Sequence, residues 1–170
     1  ANTGGSVVRI NPDVLSEAQD KTENPATFGI KNTDAIPKEL IDTLRNHPDF
    51  LWLTVDKMSA LGRSVDTDLT NPITYRYMTG SSSGGCINIL KGMTDLAFGT
   101  DGGGSVLAPA LSTNLYSFLG SGAGIVSTEQ GVSTDDLPFS IGIGVIAKDF
   151  SLLKKAGELL LGTSIPSSQQ

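Results

Sequence analysis

Apolar residues along the chain fall into short runs broken by glycine, proline and asparagine, and two stretches keep a helical spacing. Ile36 to Arg45 carries Leu40, Ile41 and Leu44 on one face, with Pro37 near its start and Asn46-His47-Pro48 at its end. Asp149 to Leu161 is amphipathic and is stopped by Gly162. Phe50 to Val55, FLWLTV, is apolar throughout and predicts an inner strand covered on both faces. Shorter strands are predicted at Ser6 to Ile10, ended by Asn11-Pro12, at the brief apolar run Thr27 to Lys31, and at Leu96 to Phe98. Ile141 to Ala147, alternating with glycine, reads as a strand or a close-packed turn.

Between these runs the pattern is weaker. Residues 13 to 26 read as a helical turn plus loop, and Ser59 to Tyr77, which contains Asn71-Pro72, as loop. Cys86 to Lys91 predicts a short helix, and Pro109 to Leu119 another helix or an irregular wrap. Residues 120 to 138 are the loosest part, and the tail 163–170 reads as disordered. Strands interleaved with helices give an α/β class, with a mixed twisted sheet covered by helices. The 170 residues show no repeat or linker and suit one domain.

Charge and composition remove several functions. Twelve basic residues against 18 acidic ones give a net charge of −6 without a basic cluster, which argues against nucleic acid and anionic membrane as partners. A single cysteine, Cys86, and a single histidine, His47, allow neither an internal disulfide nor a Cys/His metal site, so no metal or cofactor is expected. No apolar run is long enough to span a bilayer, no signal peptide is visible, and a cytoplasmic protein is expected. Ala1 in place of Met reads as a processed end.

The chemistry is concentrated in residues 78 to 110. A serine-rich turn, Gly80-Ser81-Ser82-Ser83-Gly84-Gly85, precedes a glycine-rich turn that ends on a serine, Thr100-Asp101-Gly102-Gly103-Gly104-Ser105. A serine hydroxyl becomes a nucleophile when a neighbour takes its proton and backbone N–H groups hold the oxyanion that follows. Consecutive glycines turn freely and aim several N–H groups at one point, so Gly102, Gly103 and Gly104 could frame an oxyanion hole for Ser105. Asp101 reads as a brace for that loop.

These residues resemble the amidase signature family, whose members cleave or transfer amide C–N bonds with a Ser, cis-Ser, Lys triad. Gly80 to Gly85 is similar to the family's G-G-S-S-G-G turn, with Ser81 in place of the second glycine. Gly99 to Ser105, with Val106 and Pro109-Ala110, resembles its G-T-D-x-G-G-S-I-R-x-P-A segment. Ile143 to Phe150 and the LLKKAGELLLG that follows resemble a helix-bearing segment further on, and LIDTLRNHPDFLWLTVDKMSALGRS resembles the stretch leading to the serine turn. The resemblance implies Ser105 as nucleophile, Ser82 as the cis-serine, and Ser83 with the amides of Gly102 to Ser105 lining the oxyanion hole. It also implies an α/β sheet between helices and a small amide as substrate or ligand. The family's members are more than twice this length, and their later half completes the substrate funnel.

The base decides the function. Counting back from Asp34-Ala35 with the family's spacing favours Arg9, in SVVRIN, at the lysine's position, and a guanidinium cannot give up its proton. Lys31, in Phe28-Gly29-Ile30-Lys31-Asn32, matches the family's G-V-K-D better locally but needs a shorter connection to the serine turn. The 23 positions from Ser82 to Ser105 are one fewer than the family shows, and Leu107 replaces the arginine after the nucleophile. With Arg9 the chain is a catalytically impaired scaffold acting as a binding or partner subunit, and this reading is preferred. With Lys31 it is a compact serine amidase using Ser105, Ser82 and Lys31, completed by a partner chain or by forming a homo-oligomer. His47 reads as a surface residue and Cys86 as a buried structural one.

Overall fold

The structure is a computed structural model and describes residues 4–133 and 135–164. The chain opens with β1 (Val7–Ile10), a short helix α1 (Val14–Glu17) running into a 3-10 turn, β2 (Ala26–Lys31), α2 (Lys38–Asn46) and β3 (Phe50–Asp56). A hairpin of β4 (Val65–Thr70) and β5 (Tyr77–Thr79) follows, then α3 (Ser83–Leu90) and β6 (Leu96–Asp101). The rest comprises α4 (Leu107–Ser112), β7 (Tyr116–Leu119), β8 (Val126–Val132), β9 (Pro138–Ala147) and α5 (Phe150–Leu161).

Seven strands form one mixed sheet in the order β1-β3-β2-β6-β9-β7, with β8 also paired to β9. The strands β3, β2 and β6 are parallel; β1, β9, β7 and β8 run antiparallel to their neighbours. Alternation along β6 and β9 divides the core. Leu96, Phe98, Ile143, Val145 and Ala147 face the side covered by α2 and α5, where Leu44, Leu153 and Ala156 meet them. Ala97 and Ile146 face the other side, against Cys86, Ile87 and Ile89 of α3 and Val106 and Ala110 by α4. The expected mixed α/β sheet between helices is the architecture found.

α2 and α5 form where the helical spacing predicts them. Asp149 caps α5 by accepting the N–H of Leu152, and Gly162 ends it in a left-handed conformation. Three expectations need correction. The 59–77 stretch is no plain loop, because it contains β4; its polar sequence, VDTDLT, and a register shift between Asp66 and Thr70 hide the alternation. The 120–138 stretch contains β8, which borrows its order from β9. The 109–119 stretch splits into the end of α4 and β7. FLWLTV is an inner strand, but Trp52 and Leu53 are only half-buried, and it is β6 that is buried along its whole length. Of the tail expected to be disordered, residues 165–170 lie outside the described residues.

Candidate active site

The parallel strands β2 and β6 bring Lys31 and Thr100 to the same end of the sheet, where Ile30 pairs with Phe98 just before them. The serine turn joins β5 to α3 and the glycine turn joins β6 to α4. Pockets of open α/β sheets form outside the carboxyl ends of the strands, and these turns sit there.

Lys31 is buried and its Nζ donates to Ser81 Oγ at 2.7 Å, Thr100 Oγ1 at 2.9 Å and the Thr100 carbonyl at 3.0 Å. Burial pushes its pKa down to about 8, and Asp101 nearby pulls it part of the way back. Arg9 makes no hydrogen bond to the serine turn among the described residues. It is an exposed residue of the edge strand β1, opposite Val55, and lines a cavity of about 470 Å³ together with Lys31, Asp34, Lys38 and Trp52. Lysine, not arginine, meets the serine turn.

The partner of that lysine differs from the sequence expectation. Among the described residues Ser82 Oγ is buried without any hydrogen bond, while Ser81, which follows a cis Gly80–Ser81 peptide bond, takes the ammonium. Counted from Ser81, the separation to Ser105 is 24 positions, so the residue that seemed missing from the helix is present. Ser82 contributes through its backbone, its N–H donating to the Ser105 carbonyl at 3.0 Å and tying the two turns together. Gly99 allows this approach, since a Cβ there would lie 2.5 Å from Ser82 Oγ.

Ser105 is half-buried, and its hydroxyl makes no hydrogen bond among the described residues. Its turn is braced by the Asp101 carboxylate, which accepts the N–H groups of Gly104, Val106 (2.7 Å) and Leu107 (3.0 Å). The Gly104 amide is thereby engaged, and Gly102 and Gly103 lie on the exposed rim. Gly104 also holds a φ of +107°, a conformation that favours glycine. The Ser83 hydroxyl donates to Asp66 Oδ2 at 2.5 Å.

A buried acid lies close by. Asp56 follows the end of the apolar stretch in β3, is 1% exposed, and accepts hydrogen bonds on Oδ1 from Thr54 (2.6 Å) and Asn88 (2.7 Å). Its other oxygen has no partner among the described residues, and burial pushes its pKa up to about 7. Sequence gave no warning of it, because an aspartate after an apolar strand is ordinarily a loop residue. His47 caps α2, before the amino end of β3, and so lies at the opposite end of the parallel strands from Lys31. Cys86 is buried, and its thiol is pushed up to about 12 by that burial. Among the described residues no group of three or more His, Cys, Asp or Glu is placed to hold a metal ion, and no helix is long and apolar enough to cross a membrane.

No family model matches the chain. Over 92 residues, 54% of this chain and 21% of the relative, it is 38% identical to Amidase 1 of Arabidopsis thaliana. Its fold matches the crystal structure of an amidase with a TM-score of 0.73 at 17% identity, over 99% of this chain and 46% of that one. It also matches native peptide amidase from Stenotrophomonas maltophilia, with a TM-score of 0.67 at 18% identity, over 96% of this chain and 40% of that one. The chain thus spans about a fifth of the curated relative and less than half of these structures. On its serine turns, its mixed sheet and these relatives, the chain is similar to amidase signature enzymes and shares their fold.

Proposed function

We propose that this chain carries the proton relay of an amide C–N hydrolase, with Ser105 as nucleophile, Ser81 as the intermediate serine and Lys31 as base. The observation that carries this reading is the 2.7 Å hydrogen bond from a buried Lys31 to Ser81. A lysine with its pKa lowered to about 8 has a usable neutral fraction near physiological pH. The neutral amine takes the Ser81 proton as Ser81 takes that of Ser105, and Ser105 Oγ bonds to the amide carbon. The amides of Gly102, Gly103 and Ser105 are the donors proposed for the oxyanion, with Gly104 serving the brace. When the C–N bond breaks, the proton passes to the leaving amine, and water then releases the acyl group by the same relay.

Ser81 replaces Ser82 in this reading, and Lys31 takes the place of Arg9 because it is the side chain bonded to the serine turn. A binding or partner role remains the rival reading. Labelling with a fluorophosphonate or phenylmethylsulfonyl fluoride separates the two, with Ser105→Ala as the control. Stoichiometric labelling at Ser105 is expected; a folded sample that takes no label supports the scaffold. Substrate is a small amide in this reading, and a partner chain or second copy would complete its binding walls.

A further inference from the structure

The serine turn is held from one side by a short segment that the relay itself does not use. Ser59 N–H donates to the Ser81 carbonyl at 3.1 Å, Gly80 N–H to Ser64 at 2.7 Å, and Gly84 N–H to Lys57 at 2.9 Å. One side-chain bond joins the turn to this segment among the described residues, from Ser83 Oγ to Asp66 Oδ2 at 2.5 Å. Ser83 is fully buried and opens α3 two residues after Ser81; Asp66, in β4, is 2% exposed. The carboxylate accepts three hydrogen bonds in all, the others from the Asp68 N–H at 3.0 Å and Lys57 Nζ at 3.1 Å, while Lys57 reaches Asp68 at 2.7 Å. Hydroxyl-to-carboxylate bonds of this length are among the stronger ones, and a buried carboxylate is retained only where charge and donors compensate it. Lys57 supplies that compensation. Burial would raise the carboxyl's pKa, but Ser83, the Asp68 amide and Lys57 together hold it below its ordinary value, so the bond is charged throughout neutral pH.

We propose that Asp66 is a positioning residue for the reaction, acting through Ser83 to hold the serine turn where Ser81 meets Lys31. The proposal rests on the Lys31–Ser81–Ser105 reading above. Reacting groups tolerate little misplacement, about an ångström costing roughly a hundredfold in rate, so the side-chain anchor of the turn that carries Ser81 bears directly on the relay. Lys57 acts one step further out, neutralising the anchor.

The test compares Ser105 labelling by a fluorophosphonate in the wild-type chain, Asp66→Asn, Ser83→Ala and the double variant, with melting temperature measured for each. Each single change is expected to slow the inactivation rate constant by about 10- to 100-fold while leaving the reversible inhibition constant unchanged. The double variant should be no slower than the slower single one, since both changes cut the same link. The inflection of rate with pH should stay in place, because Asp66 is not among the charges that shift Lys31. Folded single variants that label at the wild-type rate, or losses that multiply in the double variant, overturn the proposal. Should Asp66→Asn fail to fold, Ser83→Ala decides alone, by its inactivation rate against its inhibition constant. A wild-type chain that takes no label sinks the amidase reading and this proposal with it; a labelled wild type with unaffected variants sinks only the latter.

Discussion

Lys31 and Ser81 lie 50 positions apart in the chain and 2.7 Å apart in space, an amine and a hydroxyl buried together at the carboxyl end of the sheet. Because Lys31 must be neutral to accept a proton and its pKa is lowered to about 8, labelling of Ser105 should rise with pH and level off above about 8. Lys31→Met should lose about 100- to 10,000-fold in rate. Lys31→Arg should be equally slow and flat with pH, as a guanidinium stays protonated. A profile with no inflection between pH 7 and 9 in the wild type counts against Lys31 as base.

The two serines of the turn should separate cleanly. Ser81→Ala removes the Lys31 partner and should depress Ser105 labelling by about 100-fold or more. Ser82→Ala removes a hydroxyl that is buried without a partner and keeps the N–H bonded to Ser105, so rate and melting temperature should change little. Equal losses from both changes would return the role to Ser82.

Asp101 affects the site in two ways. Its charge raises the pKa of Lys31, so Asp101→Asn should move the pH inflection of labelling downward. It also accepts three N–H groups of the glycine turn, so the same change should lower the plateau rate and the melting temperature. An inflection that moves upward contradicts the electrostatic assignment.

Backbone strain should be local to one glycine. Gly104 holds a φ of +107°, and Gly104→Ala should cost about 1–3 kcal/mol. Gly103 has open space around it and no such φ, so Gly103→Ala should be nearly neutral. Chemical denaturation of the two variants side by side measures the difference.

Stability should fall as pH rises from about 4 to about 7 through Asp56. An acid with a pKa near 7 when folded and an ordinary 3.8 when unfolded holds its proton more tightly in the native state. Its contribution is therefore undiminished below pH 4, is lost progressively up to pH 7, and above that amounts to a penalty of about 4 kcal/mol. Asp56→Asn keeps the acceptor for Thr54 and Asn88 and should flatten that slope, a result readable from unfolding curves at pH 5 and pH 8.

Much of the molecule could be read directly from its residues. The helical spacing of 36–45 and 149–161, the apolar run of β3 and the glycine and serine turns located α2, α5, the sheet class and Ser105, because each of these is a local pattern of backbone preference. Asp101's role as a brace was also legible, since an acid placed before a glycine run has unpaired N–H groups beside it. Packing decided the rest. The choice between Lys31 and Arg9, and between Ser81 and Ser82, depends on which side chains two parallel strands and a turn bring within hydrogen-bonding distance across 50 or more positions, and spacing along a chain carries no such distance. The same holds for Ser83 with Asp66 and for the buried Asp56, whose surroundings come from elements remote in sequence.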